Sequence, residues 1–272
     1  MADALVDVGG GVRLHYQRIG QGEPLLLAMG TAASLGMWMP VEAALSERYD
    51  VVAFDYRGLG QSDRGEGPIT AASLAEDAHA LLDALSIPRA HVLGWSLGSV
   101  VAQELAIGHP DQVASLVLCA TWARRDGFSN ALMTALKYPW ETGDLATALV
   151  ALGVVYSAEF LESPEFEKFV AWTAPLAPAT PEQIRAVAEQ WDADLGFDSV
   201  DRIAAITAPT LVLTGEDDIL TPPRHGRAVA ERIPGATFEL MTGVGASHGL
   251  IFERTDDFLR TVLTFLQQQS LE

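Results

Sequence analysis

The chain has 272 residues, 49% of them hydrophobic and 19% charged, which excludes wholesale disorder and leaves room for a large core with or without an insertion. Aspartate and glutamate total 36 against 17 lysines and arginines, and the net charge of −19 argues against nucleic acid or anionic lipid as a partner. No segment reaches about 18 consecutive apolar residues and the N-terminus lacks the basic start and apolar run of an export signal, so a cytoplasmic, reducing location is expected.

Residues 12–18, "VRLHYQR", alternate enough for an edge-type strand, and "EPLLLAMG" at 23–30 is an apolar run closed by glycine, as for a buried strand entering a loop. A helix is expected over 38–48 and a buried strand over 49–55. After "YRGLGQSD", Leu74, Ala78, Leu81, Leu82 and Leu85 recur at helical spacing across 71–85. "AHVLGW" reads as a strand, Leu97–Ile107 as a helix and "VASLVLCA" as a further strand, in which Cys119 is a buried small hydrophobe. Strands and helices alternate, so an α/β fold with a mostly parallel, doubly wound sheet is expected.

That rhythm stops at about Thr121 and resumes near Asp194. Between them come helical segments that hold Trp122, Trp140, Trp172 and Trp191, four of the six tryptophans of the chain. The segment reads as a helical cap over the carboxyl ends of the strands, where open α/β sheets bind ligands. The division expected is a core of 1–121 with 195–272 and a cap of 122–194. The sheet resumes at "APTLVLTGEDD", residues 208–218, followed by a strand at 236–241 and a closing helix at 256–266. The final Leu271-Glu272 pair reads as an expression scar and carries no fold argument.

One junction carries chemistry. In "GWSLG", Gly94 and Gly98 flank Ser96 where a strand turns into a helix, a turn whose strain requires small neighbours. The hydroxyl then projects from the sheet toward amides at the start of the helix. A serine needs a base to take its proton and a carboxylate to orient that base. "GEDDILTPP" puts Asp217 and Asp218 beyond a strand, and "GASHGL" puts His248 in a small-residue loop before the last helix. The order serine, acid, histidine suits a nucleophile elbow early in a doubly wound sheet. His15, His79, His91, His109 and His225 read as structural or solvated. The chain has no H-E-x-x-H and no cysteine cluster, so no metal and no cofactor are expected. "RGLGQS" lacks both the full G-x-G-x-x-G fingerprint and a Walker lysine, and reads as a structural loop tied down by Asp55 and Arg57.

Through "LLLAMG", "FDYRGLGQSD", "GWSLG", "LVLTGEDDILTP" and "SHG" the chain resembles the α/β-hydrolase fold superfamily. The family's G-x-x-D pattern implies Asp218 as the acid with Asp217 its neighbour, and a backup acid position after the sixth strand corresponds only loosely to Asp126. Many members carry His-Gly after the third strand, whereas this chain reads Met29-Gly30-Thr31. The amides of Thr31 and Leu97 still suffice for an oxyanion hole, with Met29 making that wall less polar. Met29, "FDYRGLGQSD", Trp95 and "LVLCATWARRD" resemble bacterial esterases and enol-lactonases, implying a hydrophobic or cyclic ester or lactone. Met29, Trp95, Trp122, Trp140 and Trp172 are the candidate pocket residues, and the implied partner is a small, largely apolar molecule. Alternatives are a carbon-carbon bond hydrolase, a cofactor-free perhydrolase or lyase, and a noncatalytic small-molecule receptor on the same fold. Ser96 argues against relatives that attack with an aspartate.

Overall fold

In the computed structural model, residues 2–269 are described; the Leu271-Glu272 pair lies outside them. The chain opens with β1 (Ala2–Asp7), β2 (Arg13–Gly20), β3 (Glu23–Ala28), α1 (Met39–Ser46) and β4 (Tyr49–Phe54). Next come α2 (Ala71–Ala84), β5 (Ala90–Trp95), α3 (Leu97–Gly108) and β6 (Val113–Cys119). Five helices then follow without a strand: α4 (Gly127–Thr142), α5 (Leu145–Ala151), α6 (Ala158–Leu161), α7 (Pro164–Thr173) and α8 (Pro181–Gly196). The sheet is completed by β7 (Thr210–Gly215), α9 (Pro223–Ala230), β8 (Thr237–Met241), α10 (Leu250–Glu253) and α11 (Thr255–Leu266).

The eight strands form one sheet in the order β1-β2-β4-β3-β5-β6-β7-β8. β3 to β8 pair in parallel, and β2 pairs antiparallel with both β1 and β4. β5, β6 and β7 are buried along their whole length, as parallel strands covered on both faces must be. Along β3 the side chains alternate between two cores: Leu26 and Ala28 join one, while Leu25 and Leu27 join the other.

Residues 12–18 are not an edge, because β1 lies outside β2. β1 escapes the hydrophobic pattern since five of its six residues are exposed. It is a strand through pairing: Val8 donates to the Val12 carbonyl and Val12 to that of Gly9, closing a turn that lays Asp7 opposite Arg13.

The five-helix cap leaves the sheet after β6 and returns before β7. The two chain segments touch at its base, where Ser199 N–H donates to the Ala123 carbonyl at 2.9 Å. Gln103 of α3 ties them from below, donating to Thr121 and the Trp122 carbonyl and accepting from the Ser199 hydroxyl.

Candidate active site

Ser96 stands between β5 and α3 with φ +56° and ψ −121°, a left-handed conformation that a serine adopts only under constraint. The glycines around it are steric necessities. A Cβ on Gly94 would stand 2.2 Å from the Gly98 carbonyl oxygen, and one on Gly98 would stand 1.9 Å from that of Ala28. Ser96 occupies the N-cap position of α3, yet its side chain makes no capping hydrogen bond. Its hydroxyl is therefore not consumed by the helix it precedes.

The acid loop leaves β7 at Gly215, where an added Cβ would lie 2.1 Å from the Ala246 carbonyl oxygen. That contact brings the acid loop against the histidine loop. Asp218 is 2% exposed, and its Oδ2 lies 2.9 Å from His248 Nδ1. Its other oxygen accepts the amides of Leu220 (2.9 Å) and Thr221 (2.7 Å), while Thr221 Oγ1 donates to Oδ2 at 2.7 Å. Burial pushes this carboxyl up, but the His248 charge and hydrogen bond, with the Thr221 donors, outweigh it and hold the group below its ordinary value. Asp217 is exposed, with its backbone amide bound to the Ala246 carbonyl. Asp126 is elsewhere: it caps α4 through the Ser129 amide and pairs with Arg224, which hold it at about 2.

The histidine loop is fastened to its surroundings. Trp95 Nε1 donates to the His248 carbonyl at 3.0 Å, with its ring centroid 5.4 Å from the imidazole. From the cap, the Val155 carbonyl accepts both Gly249 N–H (2.7 Å) and Ser247 Oγ (3.0 Å). Glu253 binds the Ser157 amide at 3.0 Å and the hydroxyls of Ser157 and Ser247.

Ser96 and His248 open into one cavity of about 550 Å³ beneath the cap. Thr31 and Trp95 line its floor; Trp140, Tyr156, Phe169 and Trp191 are among its cap residues. Neither the Thr31 nor the Leu97 amide finds an acceptor among the described residues. Leu97, the first residue of α3 directly after Ser96, is fully buried.

Three candidate pocket residues do not line this cavity. Met29 continues the β3 alternation into the core that holds Leu25, Leu27 and Trp38, so its thioether forms no part of the cavity wall. Trp122 lies at the cap base, 1% exposed and edge-on to Phe197 with centroids 6.2 Å apart. On α7 the cavity stripe is Phe166, Phe169, Val170 and Thr173; Trp172 falls off it, half-buried against Phe169 and the core that holds Trp38. Trp191 and the Tyr156-Phe166-Phe169 cluster take the places that sequence reasoning gave to Trp122 and Trp172. The spacing of Phe166, Phe169 and Val170 was the available signal for that wall.

Comparison with known proteins places this architecture. The pattern described as the alpha/beta hydrolase fold matches residues 23–255. The chain belongs to the alpha/beta hydrolase fold family. A similar protein of Azorhizobium caulinodans, named "Putative carbamate hydrolase RutD", is 33% identical over 238 residues, covering 84% of this chain and 86% of that one. The solved enol-lactonase from Burkholderia xenovorans LB400 is 30% identical with a TM-score of 0.85, over 94% of this chain and 97% of its own. A hydrolase from Pseudomonas aeruginosa PA01 is also 30% identical, with a TM-score of 0.84 over 97% of this chain and 98% of its own. Membership of the alpha/beta hydrolase fold family points to hydrolysis of small organic substrates. No helix among the described residues is long and apolar enough to cross a membrane.

Proposed function

We propose that the protein is a serine hydrolase that cleaves a hydrophobic or cyclic carboxylic ester or lactone through an acyl-enzyme. The observation that carries this reading is the junction of three loops: Ser96 on its strained elbow opens into the same cavity as His248, whose Nδ1 lies 2.9 Å from buried Asp218. With Nδ1–H donating to Asp218, the other ring nitrogen is left as base. It takes the Ser96 proton as Oγ attacks the carbonyl carbon, and the amides of Thr31 and Leu97 receive the negative charge that develops on the carbonyl oxygen. Collapse expels the alkoxide, which takes the proton back from His248; in a lactone the leaving group stays tethered to the acyl chain. Water then adds by the same route, releasing the acid and free Ser96.

The similarity to enol-lactonase supports the cyclic substrate, and the aromatic cap wall supports an apolar acyl or ring portion. The name of the Azorhizobium relative favours a carbamate as a second reading. A small carbamate would leave most of a 550 Å³ apolar cavity unfilled, which favours the bulkier ester. Labelling with a fluorophosphonate, followed by a panel of aryl esters, lactones, carbamates and carbon-carbon substrates with product mass analysis, tests the proposal. An unlabelled Ser96 in folded protein would remove its chemical basis and leave the receptor reading.

A further inference from the structure

α8 presents its buried stripe to the core through Ala186, Val187, Gln190, Trp191, Ala193 and Asp194. Two of these six, Gln190 and Asp194, are polar and stand four residues apart, on one face of the helix. Both reach the segment that follows β3. Asp194 Oδ2 accepts Thr31 Oγ1–H at 2.6 Å, and Gln190 Oε1 accepts Ala32 N–H at 2.9 Å. Ala32 has φ +64°, a left-handed conformation that alanine does not hold without outside constraint. Gln190 is fully buried and Asp194 is 1% exposed. Placing an amide and a carboxyl there is costly unless their partners are fixed.

From this geometry we infer that Gln190 and Asp194 are positioning residues, by which the last cap helix holds the Thr31-Ala32 turn in the conformation that presents the Thr31 amide to the carbonyl oxygen. The inference rests on the proposed role of that amide. Hydrogen bonds to the Thr31 hydroxyl and the Ala32 amide leave the Thr31 N–H itself unengaged while fixing the side chain of its own residue and the amide that follows it. Trp191, between the two polar residues in sequence, lines the cavity. One helix therefore touches both the substrate space and the turn that bears the oxyanion donor. Acyl groups that press on Trp191 act on the same element that sets the donor's position.

The test has two readouts, applied to Asp194→Ala, Thr31→Val, Gln190→Leu and the conservative Asp194→Asn. Removal of a whole oxyanion donor costs about 10²- to 10³-fold in kcat, and a displaced one should cost about 10- to 100-fold. Asp194→Ala and Thr31→Val are each expected to lower kcat on an aryl ester by that factor with KM within about threefold, and their double variant should lose no more than either alone. Asp194→Asn, which still accepts from Thr31, should stay within about threefold of wild type, as should Asp192→Asn on the outer side of α8. Because Asp194→Ala removes a buried group, Thr31→Val cuts the same bond from the other side. The second readout needs no turnover: amide hydrogen exchange across residues 30–34 should quicken in Gln190→Leu and Asp194→Ala and stay unchanged in Asp192→Asn. Unaltered exchange, or folded Asp194→Ala and Thr31→Val with wild-type kcat, overturns the inference. Wild-type protein that neither turns over esters nor reacts with a fluorophosphonate defeats the hydrolase reading instead, and the exchange result then still decides whether α8 grips the turn.

Discussion

Asp217 and Asp218 are neighbours in the chain and opposites in the fold: Asp218 is buried within 2.9 Å of His248, and Asp217 faces solvent. The Asp217 backbone is fixed by the Ala246 carbonyl, so the two side chains cannot exchange places without breaking that bond. Asp218→Asn should lower kcat on the order of 10³- to 10⁴-fold through loss of control over the His248 tautomer. Asp217→Asn should change it less than about threefold. Steady-state kinetics on the two variants, each first shown to unfold like wild type, checks the pair.

Ser96→Ala removes the attacking oxygen and leaves the elbow glycines undisturbed. Turnover and fluorophosphonate labelling should both vanish, a loss of at least about 10⁴-fold, and His248→Ala should be comparably inactive. Residual turnover of wild-type size in purified Ser96→Ala would move the nucleophile elsewhere.

Gly98→Ala is expected to be a folding lesion. Its new methyl would sit 1.9 Å from the Ala28 carbonyl oxygen, a backbone atom that cannot swing aside. The cost should exceed about 3 kcal/mol, read as a lowered urea midpoint with an unchanged slope. Gly127→Ala at the start of α4, where nothing lies within 4 Å of the added carbon, should be near neutral.

The two cap tryptophans should now separate. Trp140 lines the cavity and Trp172 does not. Trp140→Phe should shift the ratio of kcat/KM between bulky cyclic and small acyclic esters by about 10-fold or more, since each methylene of pocket contact is worth about 1–3 kcal/mol. Trp172→Ala should leave that ratio within about threefold. Esters with a common leaving group isolate shape from leaving-group chemistry.

Asp194 gives stability a pH signature. Burial raises its carboxyl from 3.8 to about 7, with the Thr31 hydrogen bond and Arg125 opposing only part of the rise. The folded state then holds the proton more tightly than the unfolded state. The associated stability is fully present below about pH 4 and is lost as pH rises through about 7. Asp194→Asn cannot titrate, so wild type should lose roughly 2 kcal/mol more than the variant between pH 5 and pH 8 in denaturant unfolding.

The sheet was legible because its buried strands are continuous apolar runs, and the junction of Ser96, Asp218 and His248 because steric limits write glycines into the sequence at Gly94, Gly98 and Gly215. β1 was not legible, since its exposed residues become a strand only by pairing with β2. Met29, Trp122 and Trp172 have the composition of a pocket, but facing is set by strand alternation, cap-base packing and helix phase, which composition does not carry. Gln190 and Asp194 are inconspicuous in the sequence, where polar residues within a helical segment are ordinary. Their signal is spacing: both fall on the stripe that Val187 and Trp191 mark as buried.

The hydrogen bond between Ala123 and Ser199 has a bearing on how this architecture diversifies. The insertion leaves and re-enters the sheet at a single gate, closed by that bond and by the Arg124-Asp198 ion pair at 2.6 Å. Strand spacing across β6 and β7 is fixed by their own pairing, so the sheet does not register how much chain is threaded between them. Loop-closure entropy grows only as the logarithm of loop length, so lengthening the inserted segment costs the scaffold little so long as the bonds of Val155 to the His248 loop and of Gln190 and Asp194 to the Thr31-Ala32 turn are kept. The gate makes the cap a graftable cassette, in which new pocket walls can be tried while the strands that carry Ser96 and Asp218 stay where they are.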